Sequence, residues 1–230
     1  MDYTYLVEIH RFLHIAAGTI TLIAGPLAIY FNQNAALHRR FGKVFFFAML
    51  YVCISAIFGY LRAPSIFFTF LLGISCMVLS SILPAVRCIA LMKGKPLKKT
   101  DQLMGIVALL CGVLMIAKGA SGMFDSQVSE VSILFLVFGL LTFALGVGSY
   151  RAFSSKEKIH SLDWLLLHVR LMMTAFIAST TAFAVNAKFL QTLPWFILWF
   201  APTVIIVPLQ IYFTNRIRAQ KAAIVARKKA

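Results

Sequence analysis

Five histidines, and an arginine close behind one of them, are the residues with most chemistry to offer. His10 and His14 stand four apart in an apolar run, so on a helix they share one face. His14 is followed at the same interval by Gly18. His38 opens the segment His-Arg-Arg-Phe-Gly-Lys, with Gly42 four residues on. His168 begins His-Val-Arg-Leu-Met-Met, with Arg170 beside it, and His160 precedes that run. Histidine is a haem axial ligand, and a glycine one turn away clears its face for a bulky ring or a neighbouring helix. The pattern allows a haem b site between helices; the alternative is that these histidines hydrogen-bond across helices or sit at the membrane interface.

Other chemistries lack their residues. The seven carboxylates are Asp2, Glu8, Asp101, Asp125, Glu130, Glu157 and Asp163, and all fall between apolar runs or at their ends. That argues against a carboxylate-lined proton or cation path. The chain has no paired-carboxylate acid/base motif, no glycine-rich phosphate loop and no G-x-S-x-G elbow. Cys53, Cys76, Cys88 and Cys111 lie inside apolar runs without C-x-x-C or zinc-type spacing, and read as small apolar filler.

The elements that must position the histidines follow from composition. Of 230 residues, 61% are hydrophobic and 13% charged, with a mean hydropathy of +0.88. A soluble domain is nearer half apolar and a quarter charged, and a disordered chain needs low hydrophobicity. The chain therefore reads as an all-α integral membrane bundle. A spanning helix takes about 20 residues, and breakers divide the sequence into seven spans: 6–31, 41–61, 65–92, 102–123, 131–152, 163–187 and 194–215. Ser65, Thr100-Asp101 and Ser161-Leu-Asp163 supply capping chemistry at three starts. Pro26, Pro84, Pro202 and Pro208 should bend their helices, with Ser80 and Ser81 near enough to serve a carbonyl freed by Pro84. The acidic opening Met-Asp-Tyr-Thr-Tyr and the length of the first apolar run argue against a cleavable signal.

Charge asymmetry sets the orientation. Alternate connections hold Arg39, Arg40 and Lys43; Arg87, Lys93, Lys95, Lys98 and Lys99; Arg151, Lys156 and Lys158; and the tail from Arg216 to Lys229. These are 17 of the 22 lysines and arginines, so this side belongs in the cytoplasm. The N-terminus is then outside and the C-terminus inside. The net charge of +15 reads as this topology signal plus attraction to anionic lipid, with no nucleic-acid partner implied. The basic tail, 216–230, should continue the last helix along the inner surface. One packing signal stands out. Gly105, Gly112 and Gly119 recur every seven residues, as do Gly139 and Gly146, which predicts a close antiparallel contact between spans four and five.

Depth then sorts the histidines. At about 1.5 Å per residue, His14 lies several ångströms outside the midplane and His168 about 10 Å inside it, too far apart to share one iron. His38 and His168 are both on the cytoplasmic side and can pair. The outer side has no histidine to oppose His10 and His14, so a second haem lacks ligands. Arg11 and Lys118 lie near the outer surface, where snorkelling suffices; Arg170 is deeper, placed for haem propionates, a quinone carbonyl or an anionic headgroup.

At these residues a likeness emerges. His14-Ile-Ala-Ala-Gly18, Gly25-Pro26, His38-Arg39-Arg40-Phe41-Gly42, His168-Val-Arg-Leu-Met172 with Thr181-Ala-Phe183, and Trp199-Phe-Ala-Pro202-Thr203 span most of the chain. Together they resemble a bacterial membrane family catalogued as domain of unknown function 2306. The resemblance implies a polytopic fold and draws attention to His14, His38 and His168; it implies no reaction.

The sequence reading is a haem- or quinone-associated redox membrane subunit, with His38 and His168 as iron ligands and Arg170 and His14 in supporting cofactor contacts. Two other classes compete. A zinc-dependent intramembrane hydrolase would use His10 and His14 and needs a third ligand, with Glu8 the one carboxylate nearby. A transporter or lipid-handling protein would use Arg170 and Asn186 and no metal. The topology is directly testable. Reporter fusions at Lys95 and after Ala230 are expected to report cytoplasm, and one at Asp125 the outside. Lys95 and the C-terminus on opposite sides would mean a miscounted span.

Overall fold

A long apolar segment can satisfy its backbone without water only by the i to i−4 ladder of a helix. The computed structural model describes residues 3–123, 129–155 and 160–227, and among these it is all-helical. The helices are α1 (Tyr3–Tyr30), α2 (Ala35–Arg62), α3 (Ile66–Met92), α4 (Leu103–Met123), α5 (Glu130–Ser154), α6 (Ser161–Asn186) and α7 (Trp195–Arg227). Each of the seven is long and apolar enough to cross a membrane. Asp2, Asp125, Lys156, Glu157, Lys158, Lys228 and Lys229, which enter the charge argument, lie outside the described residues.

Local chemistry moves several helix ends from their expected places. The second helix starts at Ala35, not 41, because Asn34 Oδ1 accepts the N–H groups of both Ala36 and Leu37 at 3.1 Å. Ser65 caps α3 as expected, accepting from Phe68 N at 3.2 Å. Thr100-Asp101 forms a 3-10 turn ahead of α4. There Asp101 accepts from Lys98 N at 2.8 Å and pairs with Arg87 at 2.7 Å, tying the cytoplasmic-type loop to α3. The α6 cap is His160, whose Nδ1 accepts from Leu162 N at 3.1 Å, one residue ahead of the expected Ser161. All four prolines are inside helices. Ser81 donates to the Met77 carbonyl at 2.8 Å, not to the Ser80 carbonyl that Pro84 leaves without its donor. The last helix runs on to Arg227 and takes in most of the basic tail.

The core is built around α3, which packs against α2, α4, α5 and α6. Phe70, Met77, Val78 and Ile82 are buried along it. Phe70 joins Phe135, Phe138 and Trp199 in an edge-to-face cluster with centroids 5.2 to 5.8 Å apart, which binds α5 and α7 to α3. Outside, the bundle carries large apolar side chains: Phe12, Leu114 and Ile205 are 69%, 70% and 73% exposed. A surface of that kind suits hydrocarbon better than water.

The α4–α5 contact is the closest in the molecule, and glycine makes it possible. A Cβ on Gly105 would lie 2.8 Å from Tyr150 N, one on Gly112 2.6 Å from Phe143 N, and one on Gly119 2.8 Å from Leu136 N. From the other side, Gly139 faces Ile116 N at 2.8 Å and Gly146 faces Leu109 N at 2.7 Å. Seven residues up α4 correspond to seven down α5, so all five glycines keep one antiparallel register. Backbone is what each Cβ would strike, and backbone cannot give way as a flexible side chain can. Gly112→Leu is therefore expected to destabilise the protein by about 2 kcal/mol or more, read as a lowered Tm in detergent. An unchanged Tm would remove the close seam.

Candidate functional site

Two carbonyls position the two histidines. At the end of α1, Asn32 N turns to Ile29 O at 3.2 Å, leaving Ala28 O without its i+4 donor. His38, in the first turn of α2, fills that vacancy through Nδ1 at 2.8 Å. His168, two turns into α6, donates through Nδ1 to Ala85 O of α3, also at 2.8 Å. A carbonyl oxygen only accepts, so each Nδ1 must carry the proton. Each ring then presents Nε2 as a bare lone pair.

These anchors bring the two rings face to edge, with centroids 6.4 Å apart and planes at 69°. The α2 and α6 backbones do not pack closely on one another; large side chains span the interval between them. One layer deeper, Phe45 and Phe176 meet in the same way at 6.4 Å. Gly25 of α1 makes room for this layer, since a Cβ there would stand 2.7 Å from the Phe176 ring. The His pair thus rests on an aromatic floor with no polar group of its own. Beside His38, a Cβ on Gly42 would meet nothing within 4 Å, so no neighbouring helix occupies the face that glycine clears. His168 is buried and His38 half-buried.

The donor set can be weighed against the groups it might hold. Zinc sites use three or four protein ligands. Among the described residues no three His, Cys, Asp or Glu side chains could share a metal ion. Haem supplies its own equatorial nitrogens and asks the protein for axial imidazoles alone. A metal bonded at about 2 Å to each of two imidazole nitrogens sets the ring centres roughly 6 Å apart, close to the spacing seen. Nδ1–H bonded to a backbone carbonyl is also the arrangement that fixes the tautomer of a metal-ligating histidine. Ring spacing and tautomer are those that a bis-histidine haem would need. The two rings suit a quinone less well, because a quinone oxygen wants a donor and both N–H groups are spent.

The other expected site residues stand apart from this pair. His14 bonds through Nδ1 to Ser55 Oγ, joining α1 to α2, and His10 packs on Phe58 with centroids 4.6 Å apart. Neither is brought to a third ligand among the described residues. Arg170 lies two residues from His168, about 200° round the helix, and lines a groove between α5, α6 and α7. It does not face the His pair. Asn186, at the far end of α6, spends its amide on Ala182 O at 2.8 Å. The anchoring carbonyls of Ala28 and Ala85 and the Phe45–Phe176 floor escape sequence reading, since no residue type marks a carbonyl as available. The one hint was Gly25-Pro26, whose glycine admits Phe176. No protein-family model, curated protein or solved structure matches the chain.

Proposed function

We propose that this chain is a multi-pass protein of the bacterial inner membrane that holds haem b between His38 and His168 and serves as a redox membrane subunit. One observation carries the reading: two imidazoles from helices that do not otherwise pack closely, each with Nδ1 fixed on a carbonyl, lie with ring centroids 6.4 Å apart. Structural histidines that satisfied each other would share a hydrogen bond, whereas these bond elsewhere through Nδ1 and leave both Nε2 atoms as acceptors. Bound between them, haem would supply one-electron chemistry.

The protein's own part is positioning. Ala28 and Ala85 set the tautomer and angle of each ring. Phe45 and Phe176 close the deep side with apolar surface, which keeps water out and favours a less charged iron. The orientation follows from the lysines and arginines: with 17 of 22 on one side, the N-terminus is outside and the C-terminus cytoplasmic. The His pair is then near the cytoplasmic face, within reach of a soluble or peripheral electron donor.

Protein purified from cells supplied with haem precursor is expected to show a Soret band and the split α-band spectrum of low-spin iron. His168→Ala should abolish it. His38→Ala should abolish it or leave a high-spin, five-coordinate spectrum, while His10→Ala, at the other end of the bundle, should leave it intact. A protein without a Soret band, or a His168→Ala variant that retains an unaltered one, would rule the reading out.

A further inference from the structure

Away from the histidines, a groove of about 900 Å³ runs between α5, α6 and α7, within the range of small-molecule sites. Its walls are two helix stripes, one from α6 and one from α7, joined near the mouth where Lys221 Nζ stands 2.7 Å from both Asp163 oxygens. From that end toward the middle of α6 the stripe reads Asp163, Leu166, Leu167, Arg170. The α7 stripe, read in the same direction, is Val225, Ala222, Lys221, Arg218. Each stripe therefore ends on an arginine and carries its apolar side chains nearer the mouth. At about 1.5 Å per residue, Arg218 lies about 5 Å and Arg170 about 10 Å deeper than the Asp163–Lys221 pair. Gly148 of α5 lines the floor, and a Cβ there would meet nothing within 4 Å.

The charges in the groove do not cancel. Lys221 neutralises Asp163, whereas Arg170 and Arg218 have no carboxylate partner among the described residues. Both arginines are exposed, so an anion can reach them. A cation as far along its helix as Arg170 needs an anion or a path to water. The occupant that completes such a groove carries its negative charge at the leading, inner end and an apolar body behind it. A membrane lipid has the wrong polarity. With its headgroup on the arginines its chains would run deeper still, leaving Leu166, Leu167 and Val225 bare.

We propose that this groove binds a soluble phosphate monoester of an apolar alcohol, which enters phosphate first from the Asp163–Lys221 end. Its phosphate lies between Arg170 and Arg218, and its apolar body against Leu166, Leu167 and Val225. The charge count selects phosphate: a monoester carries about 1.5 to 2 negative charges on one group at neutral pH, matching two guanidiniums. A single carboxylate would leave one arginine unpaired. Each guanidinium can also meet phosphate oxygens two at a time. The apolar stripes distinguish the ester from inorganic phosphate, which would leave them wet. The site is independent of haem, since His168 and Arg170 occupy opposite faces of α6.

The test uses the full chain in phosphatidylcholine nanodiscs, titrated calorimetrically with 1-naphthyl phosphate. Saturable binding is expected, and inorganic phosphate should bind about tenfold more weakly because it buries no apolar surface. An Arg170→Gln, Arg218→Gln double variant should raise the Kd for naphthyl phosphate about tenfold or more. Gly148→Leu, which fills the floor with every charge in place, should weaken binding by a similar factor and tests the site even if the double variant fails to fold. Excess dihexanoyl phosphatidylglycerol should not displace the probe. Absence of binding to the unaltered chain, or an unaltered Kd in either variant, overturns the proposal, the latter by placing the probe elsewhere on the basic surface. Inorganic phosphate binding as tightly as the ester overturns it by removing the apolar half of the site. Displacement by the short-chain lipid overturns it by giving the groove to a lipid headgroup. The haem spectrum, recorded on the same samples, should not change in either variant.

Discussion

Two hydrogen bonds from imidazole to backbone carbonyl set the arrangement of the His38–His168 end of this molecule. In an apolar bundle a polar side chain has few partners, and the carbonyls not consumed by a helix's own ladder are among the scarce acceptors. α1 offers one where it unwinds into the α1–α2 turn, at Ala28, and His38 takes it. α3 offers a second lone pair at Ala85, next to Pro84, and His168 takes that. Satisfying both rings in this way strips them of their donors. Both Nε2 atoms are then left as acceptors on two rings whose centroids are 6.4 Å apart.

Holding that gap requires the rest of the bundle to be stiff. The α4–α5 seam supplies a rigid pair, because five glycines bring backbone against backbone over more than three turns of each helix. α3 lies against both, through Phe70 and its ring cluster and through Gly73, where Met115 of α4 fills the space a Cβ would need. With α3 fixed, Ala85 is fixed, and α6 is fixed by packing on α3. The other half of the site hangs on α1 and α2, which pack on each other, joined at one end by His38 on Ala28 and further along by His14 on Ser55. The halves meet where α2 packs on α3 and α1 on α6, and the Phe45–Phe176 layer stands between α2 and α6.

α6 works on both faces. Its His168 side turns to α3 and α2, and its Arg170 side to α5 and α7. A helix places residues two apart nearly opposite one another, so a short motif containing both belongs to two environments. The Asp163–Lys221 pair at the end of the groove ties α6 to the extended part of α7. It also removes the one carboxylate that might otherwise have cancelled the arginines.

The sequence by itself determined the properties that are local in physical origin. Hydropathy over a window of about 20 residues marked seven helices, because the transfer of each segment depends on its own side chains. Glycine spacing marked the two faces that meet in the α4–α5 seam, because the absence of a Cβ on a seven-residue period leaves one surface along which backbones can meet, while the register came from the structure. Depth paired His38 with His168, since rise per residue is constant in any helix. Helix ends were less legible: Asn34 and His160 act as caps only because the chain turns to present their side chains to the next N–H groups. Rotation of each helix about its axis was decided by tertiary structure alone. It turned Arg170 away from the histidines and toward Arg218, gave His14 to Ser55, and set His38 and His168 on their two carbonyls. Rotation is the balance of every contact a helix makes with its neighbours, and no single segment contains that sum.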